Sequence, residues 1–295
     1  MSLALALRPG GLAEALASVL RGSLGVPLGL SEPPELLQAP PPPDDPGLLA
    51  ARLALGGELP SQLLCLGLEA AVAALPATGA VLLADADAAS RALFGPSPGP
   101  EALLAIRAAL VGARPLLAFD RASQRFAAGF GAAAARVPLP PLAPPAGLAP
   151  LRPEGVCVFD HGASPALLPA VLEAASRLGP ARLLAPGEAF GPARLAAAVH
   201  LHLGPGREAP PGCRVADSFA CRRPVLVLAD PTAAGLADGV EALVAADLPG
   251  LDRAIGRLAA DPDLAAVLVR GGAAAAAAAL ARAVSAIAAA LSARG

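Results

Sequence analysis

The chain has 295 residues, a length suited to one large domain or two of ordinary size. Apolar residues make up 55% of it and charged residues 16%, which is enough to build a core and excludes disorder through lack of one. A net charge of −2, with no Lys or Arg run, removes the electrostatic case for nucleic acid or an anionic membrane surface as a partner.

In chain order, the first block opens on the apolar run Leu3–Leu7, then Arg8-Pro9-Gly10-Gly11 and a helical pattern from Leu12 to Arg21. Strand, glycine turn and helix in that order form the unit of a parallel sheet. Further strands are expected at Val26–Leu30, Leu63–Leu66, Ala80–Ala84 and Pro115–Phe119, with helices at Glu101–Val111 and Ala122–Phe130. Residues 31–47 hold four consecutive prolines, which favour polyproline II and a surface loop. A second proline-rich stretch, 138–153, excludes helix interiors and central strands and sets domains at 1–140 and 154–295.

The second block alternates. Strand Val156–Phe159, helix Ala166–Leu178, strand Arg182–Ala185, helix Pro192–Ala198 and strand Val199–Leu203 come first. Helix Cys213–Cys221, strand Pro224–Leu228, helix Thr232–Ala237 and strand Ala242–Ala245 follow. Helices Leu251–Ala260 and Asp263–Leu291 close the chain, the last broken at Gly271-Gly272 and packing back toward the first domain. Near-continuous apolar strands between helices indicate parallel sheets covered on both faces.

Ala273–Leu291 carries Arg282 at its middle, whereas a membrane-crossing helix needs ~20 apolar residues without a central charge. The N-terminus has no basic stretch and too short an apolar run for a signal sequence. These features predict a cytoplasmic protein with no transmembrane segment. Cys65, Cys157, Cys213 and Cys221 lack CxxC spacing and read as small buried thiols. Lys, Asn and Tyr, whose codons are A/T-rich, are absent, which points to a GC-rich bacterial genome and leaves Arg to carry every basic role.

Several short patterns invite chemistry. Asp85-Ala86-Asp87 follows an apolar strand, where two carboxylates can bridge a divalent cation to a diphosphate or simply cap a helix. His200 and His202 lie two apart on a strand and so face one side, but no third ligand accompanies them. Gly204-Pro-Gly206-Arg-Glu-Ala209 fits a dinucleotide string, except that Pro210-Pro211 stands where a helix should run. Asp160, His161 and Ser164 supply triad residue types without a nucleophile elbow. No metal and no cofactor are expected.

The run from Ala209 to Val225 resembles the signature of retaining GT-B glycosyltransferases, in which two glutamates eight positions apart lead into an Ala-rich helix ending Cys-Gly-x-Pro-Val. Gly212 falls on the loop glycine, Asp217 on the second acid, and Ala220, Cys221, Pro224 and Val225 are in register. Gly239–Val244 and Leu251–Leu264 (LDRAIGRLAADPDL) resemble the family's following turn, strand and helix, and Phe119–Ser123 with Arg136-Val-Pro138 resembles the end of its first domain. The chain departs from the pattern at Ala209, which replaces the first acid with Glu208 one residue early, and at Arg222, which replaces the glycine. Asp160-His161-Gly162 stands where the family has a basic pair, and all three histidines lie in the second block.

The resemblance implies an α/β fold of two Rossmann-like domains with parallel sheets and a cleft between them. It implies transfer of a sugar from a nucleotide-sugar donor, gripped by the second domain, to an acceptor (saccharide, lipid or protein) on the first. A glycine loop opening a helix presents N–H groups and a positive dipole end to a diphosphate. The substrate-binding candidates are therefore Gly212, Cys213, Arg214, Asp217, Ser218, Arg222 and Arg223, with Asp217 an exposed acceptor for ribose hydroxyls. Gly10, Gly11, His161 and Gly162, in the turns after the first strand of each block, complete the set. A non-catalytic binding protein and a sugar-nucleotide epimerase of the same architecture are the alternatives.

Overall fold

The computed structural model describes residues 2–8, 11–38, 62–75, 79–143, 152–163, 165–185, 188–204 and 209–293. Gly10, Ser164, Gly206 and Glu208 lie outside them, as do residues 39–47 and 144–151 of the proline-rich stretches. The chain divides into two units, Met1–Pro140 with Arg282–Gly295, and Pro141–Ala281.

In the first unit, β1 (Leu3–Leu7) is buried at every position, as a strand covered on both faces requires. Helix α1 (Gly11–Ser23) returns along the sheet on Ala15, Leu16, Ala17 and Leu20. The expected strand at Val26–Leu30 is instead a helical turn, α2 (Gly25–Leu28), closed by Gly29 in the left-handed region at φ 62°. Val26 is 94% exposed, so its apolar character has no sheet to serve. The second strand, β2 (Glu35–Gln38), lies within the stretch expected to be loop and pairs with β1. After β3 (Gln62–Leu66), α3 (Leu68–Ala73) and β4 (Ala80–Leu83) come α4 (Ala86–Phe94) and α5 (Pro100–Gly112). Then β5 (Leu116–Ala118), α6 (Arg121–Gly129) and β6 (Ala135–Arg136) complete a parallel sheet in the order β2-β1-β3-β4-β5-β6.

The second unit begins with β7 (Val156–Asp160), α7 (Leu168–Ala175) and β8 (Ala181–Leu183). Next are α8 (Pro192–Ala196), β9 (Val199–Leu203), α9 (Val215–Ala220), β10 (Val225–Leu228), α10 (Pro231–Ala234) and β11 (Leu243–Ala245). Its sheet is also parallel, in the order β11-β10-β9-β7-β8. One face is aliphatic: Val156, Val158, Leu201, Leu203, Leu226 and Leu228 pack on Val171 and Ala175 of α7. Leu251, Ala254, Ile255 and Leu258 of α11 (Leu248–Ala260) join them, spaced as one helical stripe.

The Asp-Pro ending of that helix has a local cause. Asp261 Oδ1 accepts from the N–H groups of Asp263 and Leu264 at 3.0 and 3.1 Å, and Pro262 occupies the first turn of α12 (Pro262–Ser292), where a missing N–H costs nothing. That helix runs through Gly271-Gly272 without the expected break. The glycines serve close approach: a Cβ on Gly271 would lie 2.1 Å from the Val240 carbonyl oxygen, and one on Gly272 2.6 Å from the Phe219 ring. By length and composition α12 is apolar enough to cross a membrane; Ala276, Ala283, Val284, Ile287, Ala288 and Leu291 along it are buried in the fold.

Candidate functional site

In an open parallel sheet, ligands bind beyond the carboxyl ends of the strands at the point where strand order reverses. In the second unit that point falls between β7 and β9, which pair in register from Val156↔Val199 to Asp160↔Leu203. Cys157 and Phe159 therefore share a face with His200 and His202, opposite the aliphatic one. Asp160 Oδ1 accepts from the Gly162 and Ala163 N–H groups at 3.0 and 2.8 Å, fixing the turn that carries His161.

From His161 a hydrogen-bonded chain runs inward. Its Nε2 lies 2.9 Å from His202 Nδ1, and His202 Nε2 lies 2.8 Å from Ser218 Oγ on α9. The His202 ring stacks on Phe159 at 4.4 Å with an interplanar angle of 4°. Burial pushes His202 well below the usual histidine range, reinforced by the neighbouring His161, His200 and Arg194. Burial also lowers His161, which sits half-buried, against the opposing pull of Asp160. Two neutral rings joined nitrogen to nitrogen share one proton, so the tautomer of His161 is tied to that of His202. His200, beside them, donates Nε2–H to the Arg194 carbonyl at 3.0 Å and is pushed down to about 3 by burial next to Arg194.

The Gly212 loop is built differently from the sequence expectation. Asp217 is 0% exposed, not an open acceptor. Its Oδ2 accepts from the N–H groups of Gly212 at 2.9 Å and Arg214 at 3.0 Å and from Arg214 Nε at 2.9 Å. Its Oδ1 accepts from the Leu142 N–H at 2.8 Å and from Arg214 Nη2. The loop N–H groups expected to face a diphosphate are thus held by the protein's own carboxylate, and Arg214 neutralises that charge. Gly212 is required twice over: φ is +86°, and a Cβ would lie 2.8 Å from Ala189 Cβ and 2.9 Å from the Phe190 ring. Cys213 is buried, its N–H donating to the Pro210 carbonyl at 2.9 Å. Ser218 is buried and bonds His202.

The two arginines after α9 diverge. Arg223 turns inward and donates from Nη2 to the Leu195 carbonyl at 2.9 Å. Arg222 is exposed and holds φ at +55°, in the left-handed position just past the helix where the resembled signature has glycine. A side chain there costs roughly 1 kcal/mol. Arg222→Gly should raise the melting temperature by about 2–4 °C, measured by calorimetry; a fall would mean that the Arg222 side chain holds the turn.

In the first unit, reversal falls between β1 and β3, beside Gly11 and Glu69. Gly11 starts α1 at φ +46°. Burial raises the Glu69 carboxyl, with Arg8 opposing. Asp85 does not cap α4 with its side chain; Ser123 Oγ accepts from the Ala86 N–H at 3.1 Å instead, and Asp87 pairs with Arg91 at 2.7 Å. Among the described residues no group of three or more His, Cys, Asp or Glu is placed to hold a metal ion. The four cysteines are free and buried, as expected. His202 and Arg194 were the residues missed as part of the site: the spacing of His200 and His202 showed a shared face, but nothing in the sequence set β9 beside β7.

Each unit is a parallel sheet between helices, so the chain is an α/β protein of two Rossmann-like domains, and the solved structures it resembles include GT-B glycosyltransferases and an epimerase of that fold. Anabaena Alr3699/HepE in complex with UDP and glucose is 16% identical, over 99% of this chain and 100% of that one, with a TM-score of 0.49. Sucrose-phosphate synthase from Thermosynechococcus elongatus is 13% identical over 95% of each chain, with a TM-score of 0.45. UDP-GlcNAc 2-epimerase from Neisseria meningitidis, bound to UDP-GlcNAc, is 12% identical over 91% of this chain and 94% of that one, with a TM-score of 0.37. No family model matches the chain, and no curated protein matches it.

Proposed function

We propose that this chain is a glycosyltransferase that takes its sugar from a nucleotide-sugar donor held by the second unit. The observation that carries the reading is the juxtaposition of His161, Gly162 and Gly204 where strand order reverses between β7 and β9. The signature resemblance from Ala209 to Val225 supports it. In this reading the first unit takes the acceptor (a saccharide, lipid or protein hydroxyl) near Gly10 and Gly11. Arginines, rather than a bound metal, offset the departing diphosphate. A cytoplasmic location belongs to the same proposal.

The test is nucleotide binding. UDP or GDP should raise the melting temperature, and the shift should grow with concentration as linkage demands, reaching about 2.7 kcal/mol of stabilisation at 100 times Kd. No shift with either nucleotide at millimolar concentration would sink the reading.

Asp217 favours a second reading, a non-catalytic nucleotide-binding protein, because the acid in register with the family's second acid is spent on its own loop. It predicts binding without sugar release. An epimerase would interconvert donor sugars without releasing them to an acceptor, which separates the third possibility.

A further inference from the structure

Arg194, third residue of α8, has no exposed surface. Its Nη1 donates to the Ala189 carbonyl at 3.2 Å, and its guanidinium carbon lies 5.9 Å from the Phe159 ring centroid. Nε and Nη2 have no partner among the described residues. Those two atoms form one edge of the guanidinium, the edge that grips two oxygens of a single oxyanion. Arginine does not shed its proton to escape burial.

Nothing described neutralises this charge. The ion pairs among the described residues are Arg91–Asp87, Arg177–Asp252, Arg182–Glu188 and Arg214–Asp217. Arg223, also bonded to the backbone of α8, adds a second cation, and its Nε likewise has no partner among the described residues. His200, which feels both arginines, is kept neutral and adds no negative charge. Uncompensated positive charge in an apolar interior is strongly unfavourable, so its retention calls for a partner that arrives from outside. Phe159 places the guanidinium close to the carboxyl end of β7, and Ala189 and Cys213 pack in the same cluster.

We propose that Arg194 is an anion-binding residue whose Nε–Nη2 edge takes a phosphoryl group, with Arg223 supplying a second positive charge. Two cations suit a phosphoryl dianion better than a single carboxylate. The Ala189 carbonyl holds the guanidinium in the ligand-free state. The inference rests on the nucleotide-sugar reading only for the nucleoside; the anion itself follows from the charge.

The test measures melting temperature and calorimetric affinity for inorganic pyrophosphate, UDP and uridine in the wild type, Arg194→Met and Arg194→Lys. Pyrophosphate and UDP should bind the wild type, and uridine should bind far more weakly. Arg194→Met should weaken pyrophosphate binding by roughly tenfold to a hundredfold, while its ligand-free form melts above the wild type because an apolar chain of similar length replaces a lone charge. Arg194→Lys keeps the charge, loses the paired edge and should also bind more weakly. Equal pyrophosphate affinity in Arg194→Met and wild type overturns the proposal, as does a wild type that binds no pyrophosphate. Should Arg194→Met fail to fold, unchanged affinity in Arg194→Lys overturns it. UDP binding untouched by either substitution would end the anion role of Arg194 and leave the nucleotide reading standing. Pyrophosphate binding lost with Arg194, in a protein that ignores UDP and GDP, would do the reverse.

Discussion

Asp217→Ala should destabilise the second unit by about 3–5 kcal/mol, the usual effect of removing one partner of a buried ion pair. The carboxylate is fully buried and takes N–H donors from Gly212, Leu142, the Arg214 backbone and the Arg214 side chain. Alanine leaves those backbone N–H groups in the interior without an acceptor, at about 1–3 kcal/mol each before relaxation. It also releases the 75-residue tie between Leu142 and α9. Asp217→Asn keeps one oxygen and should lose less. Urea unfolding followed by circular dichroism measures the difference. A loss below about 1 kcal/mol, within the range of ordinary surface substitutions, would show that the loop holds its shape without the carboxylate. Any nucleotide affinity lost in Asp217→Ala has to be read under conditions where both proteins are folded, because this acid shapes the loop that a nucleotide would meet.

Much of the fold was legible. Leu3–Leu7, Val199–Leu203 and Val225–Leu228 could be read as parallel strands because strands buried on both faces leave continuous apolar runs. The helix expected at Leu251–Ala260 is present and starts at Leu248, with Leu251, Ala254, Ile255 and Leu258 as its buried stripe. Glu35–Gln38 did not. It is an edge strand with mostly exposed side chains, held by backbone pairing to β1, and pairing leaves no mark in composition. Val26–Leu30 misled for the converse reason: apolar residues that a helical turn leaves in solvent look like a strand.

The site was legible as a set of residue types but not as a geometry. The sequence marked Asp217, Gly212 and His161. It could not show that Asp217 points inward, because that depends on Leu142, whose N–H comes from within the proline-rich stretch 138–153. It could not show the His161–His202 bond, because β9 joins β7 only after the chain has placed β8 on the other side. Arg194 gave least warning of all. A single arginine in Pro-Ala-Arg-Leu-Ala is what a solvated helix face looks like, and only burial without a counter-charge sets it apart.

Taking the protein from pH 7 to pH 5 should cost the second unit at least about 2 kcal/mol. His200 and His202 are both 0% exposed, and burial holds His200 at about 3 and His202 well below the usual 6.5. Unfolded, each takes a proton as the pH falls through about 6.5; folded, each refuses it. The unfolded state then binds more protons, so stability is complete above that pH and is lost toward the folded-state value. At pH 5 the loss from His200 is about 2 kcal/mol, from about 1.4 kcal/mol per pH unit, and His202 adds to it in the same direction. His161 moves in the same direction but is half-exposed and is left out of the sum. Glu69 in the first unit moves the other way: its carboxyl, raised by burial, takes a proton first in the folded state and gains stability as the pH falls. Comparing the wild type with His200→Gln/His202→Gln cancels Glu69 and isolates the two rings. Guanidinium unfolding at pH 7, 6 and 5 should give a steep slope for the wild type and a shallow one for the double variant. Equal slopes would mean that the rings are reached by water and protonate in place, and the chain from His161 to Ser218 would then be an open, solvated network.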